Sequence, residues 1–206
     1  MYQLLVSGGV VGLFLQVVPI TCLVGVIYAV YRYIRIKKRN TSVKWSIEIL
    51  RLLFVCYLTG LINLTLVPHN LWSNIWALIY IGYSGSQIEL FNGSFNFVPT
   101  IFKIISGDLS FGSWVKTMLA GNLLMFVPMG FFLPLISEKI NIKSVLKISV
   151  IVPVVVEIIQ PVVGRSFDVD DLILNFIGIL IGYYVAIGIK ALTYKIRGIT
   201  YKHNMK

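Results

Sequence analysis

The sequence predicts an all-α integral membrane protein, a five-transmembrane-helix bundle that forms one polytopic membrane domain over residues 1–206. Its composition is 57% hydrophobic and only 13% charged, whereas soluble domains contain about 25% charged residues. The first 31 residues carry no formal charge, and about 20 apolar residues are enough to cross a bilayer. These observations exclude an ordinary water-soluble domain.

Five apolar segments are long enough to be transmembrane helices. They lie at about residues 10–31, 47–67, 117–136, 145–163 and 172–189, and residues 68–116 form a partly structured external loop. The chain starts without an early Lys or Arg, and its first apolar run is long, which favours a retained anchor over a cleaved signal peptide. Cys22 and Cys56 both fall in apolar segments, where they indicate core filling rather than a disulfide framework.

The basic residues predict the orientation of the bundle. Of the 18 Lys and Arg residues, 15 lie on one side, in or beside the loops after the first, third and fifth segments, and only Lys103, Lys116 and Arg165 lie on the other. The positive-inside rule therefore places the N-terminus outside and the C-terminus in the cytoplasm. Anionic lipid on the cytoplasmic leaflet accounts for the net charge of +10, so no nucleic-acid partner is expected.

Two features are predicted within the external loop. Residues 71–81 carry Trp72, Trp76 and Tyr80 at four-residue steps, a pattern typical of an interfacial helix. Residues 88–97 contain Asn92-Gly93 between short apolar runs, which favours a small β-hairpin.

Polar residues interrupt the third and fourth apolar segments near their outer ends. Asn122 precedes Pro128 and Pro134, so it either makes an interhelical hydrogen bond beside a kink or lines an outward cavity. Glu157 and Gln160 are three residues apart and share one helix face. Because a charge deep in the membrane is costly, Glu157 needs a partner, in a structural ion pair or in a site that faces a ligand or handles protons.

The loop after Gln160 brings further charges to the same side. Arg165 is the external cation nearest to Glu157 in sequence, and its planar fork suits a carboxylate or a phosphate. Asp168, Asp170 and Asp171 stand at the start of the fifth helix, where they can cap it or complement its dipole. Together with Glu157 they also offer the hard oxygen ligands of Mg²⁺ or Ca²⁺, so a divalent cation is one alternative, although no fixed ligand spacing is present.

The fifth segment has a polar and small-residue face. Asp171, Asn175, Gly178 and Gly182 recur at helical spacing, and the Gly-x-x-x-Gly pair predicts close packing against another helix. We expect that neighbour to be the fourth segment. The outer thirds of three sequential helices then form a polar, ligand-binding pocket from Asn122, Glu157, Gln160, Arg165, Asp168, Asp171 and Asn175.

These stretches resemble the VanZ family of bacterial membrane proteins. The resemblance covers about residues 96–184: Asn96-Phe-Val-Pro99, the run from Asn122 to Pro134, and the ordered Glu, Gln, Arg, Asp and Asn residues from Glu157 to Asn175. Pro161 and Thr100 depart from the family pattern. The resemblance implies a bacterial cell-membrane protein associated with resistance to the glycopeptide teicoplanin, without implying a defined reaction.

Four functions follow as hypotheses. The first is binding or alteration of an envelope lipid, a lipid-linked cell-wall precursor or a lipoglycopeptide through the outward pocket. The second is an enzyme acting on a lipid-linked substrate, although no His-Glu-x-x-His, Gly-x-Ser-x-Gly or P-loop motif occurs. The third is a transporter or lipid flippase, and the fourth is a structural subunit with a protein partner. His69 and His203 fall on opposite predicted sides of the membrane, so they cannot act as a pair.

Overall fold

A computed structural model of the chain describes residues 10–39, 43–68, 70–82, 87–88, 90–107, 110 and 112–196. Its helices are α1 (Val10–Arg39), α2 (Trp45–Leu66), α3 (Leu71–Ile81), α4 (Thr100–Ile105), α5 (Ser113–Ile136), α6 (Ile142–Ile159) and α7 (Val169–Ile196). A 3₁₀ turn over Gln160–Val163 follows α6, and two short strands, β1 (Phe95–Asn96) and β2 (Phe167–Asp168), complete the elements. The two histidines and the basic residues after Ile196 lie outside the described residues.

Four of these helices are long and apolar enough to span a membrane: Leu15–Lys38, Trp45–Leu66, Val115–Ile136 and Val169–Lys195. They correspond to the first, second, third and fifth predicted segments. The fourth predicted segment, residues 145–163, is instead the 18-residue helix α6 and the 3₁₀ turn. The 18 residues of α6 include three charged side chains, Lys143, Lys147 and Glu157.

The first helix continues beyond its predicted end at residue 31. Residues 32–39 were expected to open a basic loop, but α1 runs to Arg39. Arg and Lys are good helix formers, so the charged run continues the helix. Arg32 donates to both carboxylate oxygens of Glu48, at 2.7 and 2.5 Å, and Arg51 donates to the same side chain at 2.6 Å. This group of charges ties α1 to the start of α2.

The glycine face of α7 packs against α5, which corrects the expectation that its neighbour is the fourth segment. A Cβ atom at Gly178 would lie 2.3 Å from the Leu123 carbonyl oxygen, and one at Gly182 would lie 1.9 Å from that of Val127. From the other side, a Cβ at Gly130 would lie 1.8 Å from the carbonyl oxygen of Ile179. The two helices are therefore in direct backbone contact, which side chains on these glycines would prevent.

The buried core lies along this contact and extends to α2 and α6. Its buried apolar members are Leu61, Phe126, Met129, Val145, Val156, Ile179 and Tyr183. Pro128 and Pro134 lie within the continuous helix α5. Nearby carbonyls find other donors, because the Tyr57 hydroxyl donates to the Met125 carbonyl at 2.9 Å and Lys190 donates to that of Pro134. These two bonds tie α2 and α7 to α5 close to its prolines.

The external segment forms a helix as predicted but not a hairpin. Residues 71–81 are helical, in agreement with the aromatic spacing. The predicted hairpin over residues 88–97 is wrong, because β1 pairs in parallel with β2, with Phe95 opposite Phe167 and Asn96 opposite Asp168. Gly93 approaches the backbone of Pro161 and Arg165 so closely that a Cβ would lie within 2.3 Å of both. The glycine serves this close approach rather than a hairpin turn.

Candidate functional site

The polar residues predicted at one end of the bundle meet where the 3₁₀ turn, β2 and the first turn of α7 converge. Glu157 is fully buried near the end of α6, and its Oε2 accepts a hydrogen bond from the Asp168 backbone N–H at 2.9 Å. With its amide nitrogen turned toward its acceptors, Gln160 donates to Glu157 Oε2 and to the Ser166 carbonyl oxygen, each at 3.1 Å. Glu157 therefore holds the loop between α6 and α7 in place.

The segment from Asn96 to Lys103, here called the Asn96 segment, is fastened to the same loop. Asn96 donates to Asp168 Oδ2 at 2.8 Å, and Lys103 donates to Asn96 Oδ1 at 2.7 Å. The Thr100 backbone N–H donates to Asp170 Oδ2 at 2.8 Å. Pro99 precedes this N–H with a φ of −55° and leads into α4. Two stretches about 70 residues apart in sequence thus form one hydrogen-bonded unit.

Each of the three aspartates has its own donor. Asp168 Oδ1 accepts from the Asp170 N–H at 2.9 Å, which caps the first turn of α7. Asp170 is buried and serves the first N–H of α4. Asp171 accepts from the Asn122 side chain, which is the interhelical hydrogen bond expected for Asn122 and joins α5 to α7.

These bonds do not support the divalent-cation alternative. Among the described residues, no three or more His, Cys, Asp or Glu side chains are grouped so that they could hold a metal ion. The carboxylates of Glu157, Asp168, Asp170 and Asp171 instead accept from backbone or amide donors. Capping and tethering explain the acidic cluster without a cation.

Arg165 does not form the ion pair with Glu157 that the sequence suggested. Its guanidinium donates to the Leu64 carbonyl at the end of α2, and in the described part of the chain no carboxylate lies within 4.0 Å of it. Burial lowers the pKa of Arg165 from its usual value, while the negative charges of Asp171 and Glu157 oppose that shift. The side chain stays cationic, because a guanidinium is too strong a base to lose its proton in a protein.

Arg165 lines a small cavity between the ends of α1, α2 and α3. The cavity has a volume of about 30 Å³, and Gln16, Asn63 and Trp72 are among its lining residues. Asn63 accepts from the Trp72 indole N–H at 3.1 Å, which fixes α3 against α2. The cavity therefore lies where Arg165 faces α1 and α2, and none of the hydrogen-bonded carboxylates lines it. We call this end of the bundle the Arg165 end.

Asn175 is placed deeper, one turn below Asp171 on α7. It is buried, and within the described residues its side-chain oxygen has no hydrogen-bond partner. It does not line the cavity at Arg165. The structure thus joins Glu157, Gln160 and Asp168 by hydrogen bonds and separately pairs Asn122 with Asp171. The Arg165 side chain bonds to Leu64 instead, and Asn175 lies one turn deeper.

Sequence reasoning missed the residues that α1 and α2 contribute. Gln16 is buried in α1, and Asn63 lies near the end of α2. Both are polar residues inside apolar segments, a signal that could have marked them. That they line one cavity with Arg165 could not be foreseen, because about 100 and 150 positions of sequence separate them from it.

The fold and site define a predominantly helical membrane protein whose buried carboxylates and amides are gathered at one end of the bundle. The chain belongs to the VanZ/LLP1 family, whose model matches residues 54–191, two thirds of the chain. The match begins within α2, upstream of the motifs that first suggested the resemblance. Comparisons with curated proteins and with solved structures gave no match.

Proposed function

We propose that this chain is a bacterial cell-membrane protein that binds a phosphate-bearing, lipid-linked molecule of the envelope at the Arg165 end, and that this binding underlies resistance to teicoplanin. The observation that carries the proposal is a cation at a membrane-end cavity with no carboxylate in ion-pair contact among the described residues. The link to a glycopeptide rests on what the VanZ resemblance implies.

The chemistry of Arg165 favours an anionic ligand. A guanidinium has five N–H donors in a rigid fork that matches phosphate, and in the described chain Leu64 is the acceptor that it contacts. The carboxylates nearby accept from their own donors. We propose that they position Arg165 and its loop, and that the ligand meets the guanidinium itself.

The small volume of the cavity limits how the ligand enters. A space of about 30 Å³ holds roughly one water molecule. A single phosphate oxygen can replace that water against Arg165, while the rest of the headgroup lies at the membrane interface. Lipid tails then extend along the apolar outer faces of the spanning helices.

The proposal includes five spans, with α6 and the 3₁₀ turn as the fourth. At 1.5 Å per residue, the 18 residues of α6 extend about 27 Å, close to the ~30 Å hydrocarbon core. Five crossings, together with the basic residues that follow the first, third and fifth segments, place the N-terminus outside and the C-terminus in the cytoplasm. The Arg165 end then faces the outer leaflet, where a lipoglycopeptide or a lipid-linked precursor is accessible.

Teicoplanin susceptibility tests this function in cells. We expect Arg165→Gln to lower resistance to the level of cells without the protein, because the neutral amide removes the charge that attracts phosphate. Arg165→Lys keeps the charge and should retain part of the resistance. Arg35→Gln is the matched control, since Arg35 is an exposed cation bonded to Tyr31 on α1. Unchanged resistance in Arg165→Gln, at normal membrane abundance, would reject the proposal.

A further inference from the structure

The polar groups of residues 95–105 point toward the protein. Asn96 donates to Asp168, Lys103 donates to Asn96, and the Thr100 N–H donates to Asp170. Thr100 itself is buried. A loop that faces water would direct such groups outward. This segment instead directs them toward the protein.

The apolar side chains of the same segment point away from the protein. Six of them are more than half exposed: Phe95, Phe97, Val98, Ile101, Phe102 and Ile105. The rings of Phe95 and Phe97 stack with centroids 6.0 Å apart, and Phe167 joins them at 6.0 and 5.3 Å. A contiguous exposed apolar surface of this kind is uncommon on a water-facing protein and typically marks an interaction site.

The position of the segment along the bundle axis identifies the partner. Asp170 lies in the first turn of α7, inside the membrane span Val169–Lys195. Its 2.8 Å bond to the Thr100 N–H therefore fixes the start of α4 at the depth of that first turn. The first turn of a spanning helix lies at the boundary between headgroups and acyl chains, where aromatic side chains are enriched. The exposed surface therefore lies at the depth where the bundle meets lipid.

We propose that residues 95–105 form a membrane-docking surface whose aromatic and aliphatic side chains enter the headgroup–acyl boundary of the leaflet at the Arg165 end. The occupant is bilayer lipid. The hydrogen bonds to Asp168 and Asp170 hold the surface at fixed depth, in the way that an interfacial helix rests on its apolar face. This inference does not depend on what binds at Arg165.

Spin labels test the proposal in the full chain reconstituted into phosphatidylcholine–phosphatidylglycerol liposomes. Labels are attached at Phe102→Cys and, separately, at Ile105→Cys, in a background in which Cys22 and Cys56 are replaced by Ala. Collision with oxygen, which concentrates in lipid, is compared with collision with a water-soluble nickel chelate. Leu124→Cys, on an exposed position of α5, is the lipid-facing reference, and Glu138→Cys, in the loop between α5 and α6, is the aqueous reference.

We expect both test positions to collide more with oxygen than with nickel, as Leu124→Cys does, and Glu138→Cys to show the reverse order. Two results would overturn the proposal. Nickel accessibility equal to that of Glu138→Cys would show a surface in water. Low collision rates with both reagents would show a surface covered by protein, either by this chain or by a second copy.

Discussion

The three aspartates at the start of α7 each accept a hydrogen bond from a different donor. Asp168 caps α7, Asp170 receives the first N–H of α4, and Asp171 receives the amide of Asn122. The sequence predicted capping for Asp168 or Asp170, and Asp168 is indeed the cap of α7. It could not assign Asp170 to α4, because helical spacing tells which face a side chain shares but not which distant backbone group it meets.

At the residue scale we predict that Asp170→Ala loosens α4. The change leaves the buried Thr100 N–H without its acceptor, and a hydrogen bond to a charged group contributes about 1.5–3 kcal/mol. Hydrogen–deuterium exchange of the peptide that covers α4 should therefore become about ten- to a hundredfold faster. Asp170→Asn keeps an acceptor oxygen and should give a smaller increase.

Glu138→Gln serves as the control for this measurement, because Glu138 is exposed between α5 and α6. Its exchange over residues 100–105 should equal that of the parent chain. Slow exchange of α4 in a folded Asp170→Ala protein would mean that the Thr100–Asp170 bond does not hold the segment.

The pairing of α5 with α7 is the most extensive contact between the described elements. Carbonyl oxygens of α5 lie where Cβ atoms of Gly178 and Gly182 would be. The Gly-x-x-x-Gly spacing predicted a close contact on the correct face of the fifth segment, but the expected neighbour was wrong. A small-residue pattern describes one surface only, and nothing in it distinguishes a helix next in sequence from one further away.

We predict that Gly182→Ala destabilises the bundle, because the new methyl group would lie 1.9 Å from the Val127 carbonyl oxygen. Overpacking of this kind costs about 1–3 kcal/mol. The midpoint of thermal unfolding in detergent micelles should fall. Gly188→Ala, on the same helix, is a matched control, since no atom of the described residues lies within 4 Å of its added Cβ.

Gly188→Ala should leave the midpoint unchanged or raise it, because alanine is favoured over glycine within a helix by about 1 kcal/mol. Equal effects of the two substitutions would contradict the close contact between α5 and α7.

The strand pair shows why the external loop was only partly predictable. The aromatic spacing identified α3 because a helix is a local structure whose period is written in consecutive residues. Asn92-Gly93 suggested a turn between local strands, yet β1 pairs with β2, 72 positions further along the chain. Parallel pairing requires a long connection, which here includes α5 and α6, so local turn signals could not reveal it.

On the scale of the whole molecule, the motif residues gather at one end because the helices alternate in direction. Hydropathy predicts successive helices that cross the membrane in alternating directions. This prediction places residues 122, 157, 165 and 171 at a common end. The cavity beside Arg165 also needs Gln16 from α1 and Asn63 from α2, and these were not predicted. Hydropathy gives the order and length of spans, whereas the choice of neighbours around Arg165 is set by packing.

The central claim is that Arg165 recognises a phosphate on a lipid. Binding of a polyprenyl phosphate, compared with the uncharged polyprenol of equal length, tests it most directly when the purified chain is held in phosphatidylcholine nanodiscs. We predict that the parent chain and Arg35→Gln prefer the phosphate, and that Arg165→Gln binds it about ten- to a hundredfold more weakly, as expected for loss of a charge-assisted hydrogen bond. Equal affinity of the parent chain for the two lipids, or unchanged phosphate binding by folded Arg165→Gln, would contradict it.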